Sequence, residues 1–537
     1  MRPVEANLLH ELPLVAAARA PDTVALTYGA DATSYAGTAA AIQAFARNLC
    51  AAGLARGERV GVYLEKRPEA VIAYFGAAAS GGAFVPLNPL LKGDQVAYVL
   101  RDCNVRVLVT SRERFATLHG ALAECADLRE VILIGMDGEP PARLHYNVRP
   151  WEAFVAPTDG ATHRVIETDL VAILYTSGST GKPKGVMLSH RNMVAGAKSV
   201  ASYLENGPED VLLAALPLSF DAGFSQLTTA FHAGARVVLL NYLMPKDVLN
   251  ALARERVTGI TAVPPLYIQL SQLAWPQGIV DHLRYFANTG GRLPFETLKK
   301  LRSALPKAKP YLMYGLTEAF RATYLPPEQA DRRPDSIGKA IPNAEILVLR
   351  PDGSSCDPGE PGELVQRGPL VAMGYWNDKE KTAERFKPLP SGAAAREPGM
   401  VLPEIAVFSG DNVRRDDEGF LYFIGRLDEM IKTSGYRVSP TEIEEVIYAS
   451  GAVGEAAAFG VPHPMLGQAI VVIATPISDA PLEAAVLLAA CRERLPAYMV
   501  PQSFEIRPGA LPRNPNGKID RKRLAQEFLQ PAEGPGA

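Results

Sequence analysis

Cysteine is scarce: five in 537 residues (Cys50, Cys103, Cys125, Cys356 and Cys491), scattered, odd in number and never as CxxC. That pattern excludes a disulfide framework and a cysteine-based zinc site. The eight histidines are equally dispersed, with no HExxH, so the helical zinc-hydrolase motif is absent too. An excess of one charge is also lacking, since 55 Lys+Arg against 58 Asp+Glu leave a net charge of -3. Dedicated nucleic-acid binders carry a basic excess, so no nucleic-acid partner is expected. Val71–Leu91 has no charged residue and is long enough for a bilayer span. Within it, however, Ser80, Gly81, Gly82, Pro86, Asn88 and Pro89 suit a buried helix, a turn and a strand, so no membrane span is expected. The opening MRPVEANLLHELPLV carries acids and lacks an apolar core, which makes a poor secretory signal. The expectation is a soluble cytoplasmic protein.

What is present is ordinary globular material, 47% hydrophobic, enough for several folded units. Arg59–Leu64, Val105–Ser111 and Val131–Gly135 read as buried strands, with Ala-rich helical stretches such as Ala39–Ala52 around them. That alternation predicts α/β layering with mostly parallel strands. It continues through Val211–Leu216 and Val237–Leu240 to about residue 345. Beyond that, Glu345–Leu349, Gly362–Arg367 and Gly419–Ile424 are short strands between the turn clusters PDGSSCDPGEPG and RRDDEG, predicting a small β-subdomain. Lys387–Glu404 reads as a surface loop, and a compact α/β unit starts after Arg426. The expected fold class is therefore α/β. A large N-terminal body of layered α/β subdomains plus the small β-subdomain spans 1–426. A smaller C-terminal α/β lid spans 427–530, and a flexible tail 531–537.

The most informative segment is ILYTSGSTGKPKGVMLSH, residues 173–190. An apolar strand runs into Thr176, Ser177, Gly178, Ser179, Thr180, Gly181, Lys182, Pro183, Lys184 and Gly185, and a second strand begins at Val186. The three glycines permit close backbone approach, four hydroxyls add donors, and two lysines supply charge suited to a polyphosphate. A Walker A reading fails, because Pro183 follows Gly181-Lys182 and no glycine sits five residues before Gly181.

This loop resembles the signature of the AMP-forming adenylating enzymes: acyl-CoA synthetases, nonribosomal peptide adenylation domains and luciferases. Further stretches resemble that family's motifs in the family's order. They are Tyr314-Gly315-Leu316-Thr317-Glu318, Gly410-Asp411, Gly425-Arg426-Leu427-Asp428 running on to Lys432–Arg437, and Asn516-Gly517-Lys518-Ile519-Asp520. The resemblance extends from about residue 10 to 525.

The resemblance implies a two-step reaction: a carboxylate and ATP give acyl-AMP and pyrophosphate, then a thiol takes the acyl group. It implies that Thr176–Lys184 grips the β- and γ-phosphates, that Glu318 holds Mg²⁺, and that Thr317 contacts the α-phosphate. Tyr314 would stack on adenine, Asp411 would accept from the ribose hydroxyls, and Arg426 would sit near ribose and phosphate. Asp428 resembles the hinge about which a mobile lid turns, and Lys518 is the implied catalytic lysine. Gly435 would be the close-approach residue of a pantetheine tunnel, so coenzyme A or a carrier-protein phosphopantetheine is implied as acceptor. Separately, Ser439-Pro440-Thr441-Glu442 predicts a capping box opening a helix through Ile447.

The acid is less clearly written. Ser219-Phe220-Asp221-Ala222-Gly223 resembles the FDxS stretch of amino-acid activators with Gly223 in place of serine, which implies that Asp221 meets a substrate ammonium. Read alone, Asp221 is a strand-end carboxylate capping backbone amides. Leu316 in YGLTE leans toward acyl-CoA ligases, whereas NPNGKIDRKRL leans back toward amino-acid activators. By motif matching, Asp221, Ala222, Ser225, Thr289, Met313 and Arg321 would face the substrate, with Arg321 either pairing a second carboxylate or sitting at the rim. No phosphopantetheine-attachment segment follows Lys518, so a carrier protein would act in trans. SFDAGF together with YGLTE is most similar to the acyl-CoA ligases associated with bacterial exosortase systems. The expectation is an acid–thiol ligase, an AMP-forming acyl-CoA synthetase for a small-molecule carboxylic acid, with an amine-bearing acid as one reading. The alternative is a stand-alone adenylating enzyme that loads a carrier protein.

Overall fold

The computed structural model describes residues 5–136, 138, 144–176, 183–390, 399, 401–426, 429–433, 436–477, 481–514 and 517–530. The N-terminal body is built on two sheets. Seven strands form the first, in the order Asn147–Pro150, Glu130–Ile134, Val105–Ser111, Arg59–Tyr63, Ala83–Pro86, Leu170–Thr176, Lys184–Ser189. Neighbours are parallel except the last pair, an antiparallel hairpin that pairs Thr176 with Lys184. The glycine- and hydroxyl-rich turn read as the phosphate loop joins these two strands. Its residues 177–182 lie outside the described residues.

The second sheet has fourteen strands. Val24–Tyr28, Arg236–Leu239, Val211–Ala214, Gly259–Ala262, Tyr285–Asn288 and Lys309–Tyr314 are parallel. The pairing then turns antiparallel through Thr323–Leu325 and Ser336–Ala340 into Leu421–Arg426, Ile405–Arg415, Gly362–Arg367 and Glu345–Leu349. The small β-unit expected near residue 346 is thus hydrogen-bonded into the large sheet. Its strand expected at Gly419–Ile424 starts later, because Asp416–Gly419 is a turn in which the Asp416 carboxylate accepts from Phe420 N at 2.8 Å. Gly338 makes the join tight: its φ is +83° and a Cβ there would lie 1.8 Å from Tyr324 O. No side chain fits that crossing.

Helices fill the space between the sheets. In Pro68–Ser80 every residue from Ala70 onward is buried, left-handed Gly81 stops the helix, and buried Ala83–Pro86 follows. The uncharged stretch is therefore helix, turn and strand, and among the described residues no helix is long and apolar enough to cross a membrane. The helix Asp221–Ala233 is buried through Phe231. Phe224 on it meets Phe84 of the first sheet with ring centroids 4.9 Å apart, so burial of aromatic surface fixes this helix between the two layers.

The smaller C-terminal domain carries a five-stranded sheet from Ile431–Thr433, Tyr436–Val438, Val453–His463, Gly467–Pro476 and Ser503–Ile506. One face packs Ile443, Ile447, Leu487 and Cys491, the other Phe459, Leu511 and Leu524. The helix after Ser439 runs Pro440–Tyr448 with proline at its start, but the expected capping box does not form. The buried Ser439 Oγ has no hydrogen-bond partner. It sits 3.3 Å from where a Gly425 Cβ would be, pressed on the strand that leads out of the body.

Candidate nucleotide and acid site

Asp411 lies in the long strand Ile405–Arg415, placed there by Gly410. Gly410 adopts φ +71° beneath the Arg385 guanidinium and donates its N–H to Glu363 Oε1 at 2.9 Å. The Tyr314 hydroxyl, at the end of the last parallel strand, donates to Asp411 Oδ2. Asp411 Oδ1 is buried with no hydrogen-bond partner, and Arg426 Nε is 3.8 Å from it. Burial pushes the Asp411 carboxyl above its ordinary range against the pull of Arg426, Tyr314 and Lys518. A buried acceptor without a donor is costly, and a pair of ribose hydroxyls would satisfy it, so the residues present fit a nucleotide. Burial and the same Asp411 raise the Tyr314 hydroxyl well above the usual range, so it stays a donor.

Three residues on from Tyr314, Thr317–Ala319 is a single 3-10 turn ending at left-handed Phe320, φ 55°. Glu318 is partly exposed there, and its Oε1 accepts from the Tyr375 hydroxyl at 2.7 Å. That leaves Oε2 free of Tyr375. Lys184 Nζ stands 5.6 Å from the Tyr375 ring centroid, joining the hairpin base to the same corner. Burial, with Lys381 nearby, lowers the Lys184 pKa. Among the described residues no cluster of three or more His, Cys, Asp or Glu could hold a metal. Glu318 on its own suits a Mg²⁺ whose other ligands are phosphate oxygens and water.

Asp221 begins the buried helix. Its Oδ1 accepts from Ala222 N at 2.7 Å, and its Oδ2 lies 3.9 Å from Arg321 Nη1. Burial raises the Asp221 carboxyl, opposed chiefly by Arg321. Gly223, where the FDxS pattern has serine, is enforced: a Cβ there would lie 1.8 Å from Pro217 O. Ala222, Ser225, Met313 and Arg321 line one cavity together with Gln226, Thr229, Thr261 and Tyr285. Asp221 and Thr289 are buried but lie outside that lining, Asp221 next to Ala222 and Thr289 ahead of Gly290. The polar residues missed by motif matching, Gln226 and Thr229, follow Ala222 and Ser225 at i+4, so helical spacing alone could have found them.

Lys518 reaches this region from the C-terminal domain. Its N–H donates to Asn514 Oδ1 at 3.0 Å, and its Cε lies 3.6 Å from where a Gly290 Cβ would be. The charge of Lys518 lowers the carboxyl pKa of both Asp221 and Asp411, so the lysine acts on both buried carboxylates. Arg292 of the body pairs with Glu445 of the C-terminal domain at 3.0 Å, holding this arrangement. The proposed hinge Asp428 and tunnel glycine Gly435 lie outside the described residues.

A layered α/β body that offers an open buried carboxylate oxygen, with a smaller α/β domain carrying a lysine toward it, fits a class: nucleotide-binding enzymes of two unequal domains. The chain belongs to the AMP-binding enzymes, the AMP-forming adenylating superfamily. It matches that family over residues 15–376 and the AMP-binding enzyme C-terminal domain over 442–518. It is 30% identical to an L-proline–[L-prolyl-carrier protein] ligase of Pseudomonas fluorescens, covering 97% of this chain and 99% of that one. A long-chain-fatty-acid–CoA ligase of Bacillus subtilis is 29% identical over 97% and 96%. Against a linear gramicidin synthase of Brevibacillus parabrevis the chain spans only 6% of the relative, at 30% identity and 94% of its own length. Among solved structures, o-succinylbenzoate coenzyme A synthetase of Bacillus subtilis with ATP and magnesium ion superposes with TM-score 0.79. That match has 26% identity and covers 96% of this chain and 98% of the other.

Proposed function

We propose that this protein is an AMP-forming acid–thiol ligase that activates a carboxylic acid with ATP and Mg²⁺ and transfers the acyl group to coenzyme A. The observation that carries this reading is Lys518, which one domain brings against Gly290 of the other, where its charge acts on both Asp411 and Asp221. A cation there meets the reacting carboxylate and the α-phosphate together, and stabilises charge as it passes from one to the other. Asp411 holds the ribose, Tyr314 the adenine, and Arg426 the ribose–phosphate edge. Thr317 contacts the α-phosphate and Glu318 orients Mg²⁺. The turn at Thr176–Lys184 grips the leaving polyphosphate. ATP supplies the adenylyl group, and Mg²⁺ offsets the charge of its phosphates.

The domain boundary falls after Arg426, with Asp428 as hinge of a mobile lid over 427–530. The loop 432–437 with Gly435 lines the thiol's path after the lid turns. The test is Mg²⁺-dependent ATP–pyrophosphate exchange over a panel of acids, followed by thioester formation with coenzyme A and with a phosphopantetheinylated carrier protein. Exchange without any thioester on coenzyme A would move the acceptor to the carrier. That second reading is favoured by prolyl-carrier ligases of two organisms that align almost end to end with this chain at 30–32% identity.

A further inference from the structure

The cavity beside Asp221 holds three buried polar atoms with no hydrogen-bond partner: Arg321 Nε, Gln226 Oε1 and Thr229 Oγ1. Their residues are 3%, 6% and 2% exposed. Native interiors leave few such atoms, and three on one small cavity mark a place where a ligand completes the bonding. The amide of Gln226 is oriented, since its Nε2 donates to Gly223 O at 3.0 Å. Its Oε1 is therefore an acceptor in need of a donor. Arg321 Nε–H is a donor in need of an acceptor, and Thr229 can be either.

The charges narrow the ligand further. Arg321 is the one charged side chain in that lining, and Asp221 Oδ2 is 3.9 Å from its Nη1. This is close enough to neutralise it but too far for a hydrogen bond. Both side chains are almost wholly buried, so their sum is near zero in a place where net charge is expensive. A substrate ammonium would leave a buried positive charge, and a second carboxylate a buried negative one. An alkyl tail would seal three polar atoms away from water without partners. The cavity offers about 20 Å³, the space of one small group.

We propose that Arg321 is the internal counter-ion of Asp221, replacing a substrate ammonium, and that the cavity takes an acid with a short, uncharged, hydrogen-bonding tail. A hydroxyl or a carboxamide is such a tail, because each accepts from Arg321 Nε–H and donates to Gln226 Oε1. This rests on the adenylation reading above, with the reacting carboxylate at Lys518 and the tail on the Asp221 side.

The experiment is ATP–pyrophosphate exchange by the full chain over size-matched short acids that differ only in the tail: hydroxyl, carboxamide, alkyl, ammonium and carboxylate. The expected result is kcat/KM for the hydroxyl or carboxamide acid at least about tenfold above the alkyl isostere, and above both charged acids. Preference for the alkyl, ammonium or carboxylate acid overturns the tail assignment while leaving adenylation standing. Exchange with none of them, nor with longer fatty or aryl acids, overturns adenylation and this inference together. Arg321→Leu is expected to lose the hydroxyl acid and gain the ammonium acid, because Asp221 then lacks its partner. Gln226→Leu, which touches no charge, is expected to lower the hydroxyl acid about tenfold and spare the alkyl one. Equal change in both acids would overturn the proposal.

Discussion

Two buried aspartates, one at each end of the site, are built from the same parts and differ in one. Asp411 and Asp221 both carry carboxyls raised by burial, both feel Lys518, and both have an arginine nitrogen just under 4 Å away. Arg426 beside Asp411, however, is 39% exposed, whereas Arg321 beside Asp221 is 3% exposed. Water can therefore solvate Arg426 when its partner is empty, and only the protein or a substrate can serve Arg321. At the proposed nucleotide end the open acceptor of Asp411 awaits donors beside an arginine that water already serves, while the acid end needs its counter-charge built in.

The largest expected effect tests what joins the two ends. Lys518→Ala should lower ATP–pyrophosphate exchange by about a thousandfold, in the range seen when a transition-state charge contact is removed. Thioester formation from supplied acyl-adenylate should be largely spared, and equal loss in both half-reactions would remove the role assigned to the lysine.

The comparison itself is sharpened by one substitution made twice. Asp221→Asn strands a buried guanidinium and should destabilise the fold by about 3 kcal/mol or more. Asp411→Asn removes a buried charge whose partner is already wet, so it should change stability by less than about 1 kcal/mol and in the stabilising direction. Urea melts decide it, and the same sign for both would break the contrast. The pH dependence has a definite sign. A carboxyl whose folded pKa is raised keeps its proton where the unfolded chain has lost it, so stability falls as pH rises above about 4 toward the folded value. Asp411→Asn should flatten that fall relative to the wild-type chain.

Two smaller effects concern orientation. Tyr375→Phe removes one hydrogen bond to Glu318 and should cost about 1 kcal/mol, read as an apparent KM for Mg²⁺ raised about fivefold with stability hardly changed. Arg292→Ala unlatches a partly exposed interdomain pair and should shift the ratio of the two half-reactions by no more than about fivefold. An unchanged ratio would show that the pair does not hold the lid.

The groups of the proposed nucleotide end were readable in the sequence because they sit in contiguous motifs. Gly410-Asp411 and YGLTE are each within five residues, and the fold merely brings Tyr314 onto Asp411. The acid end was legible only in part. Asp221, Ala222, Ser225, Met313 and Arg321 were placed by matching, but the pairing of Asp221 with Arg321 joins residues a hundred positions apart. No local pattern encodes that contact, and Gln226 and Thr229 belong to none of the motifs that were matched. Strand positions such as Val105–Ser111 were readable from apolar runs. The fusion of the β-unit into a fourteen-stranded sheet was not, because it depends on Gly338 crossing Tyr324 at backbone distance.

That crossing also bears on the sequence of events in a turnover. Tyr314 and Asp411 hang from one continuous hydrogen-bonded sheet, so the proposed seat for the nucleoside is built before any ligand binds. In the proposed reaction little ordering entropy is then lost on nucleoside binding, whereas Lys518 belongs to the other domain and depends on its position. Under the proposed mechanism the two tasks are divided between the domains: the sheet of the body would recognise the nucleotide, and the lysine of the smaller domain would commit it to reaction.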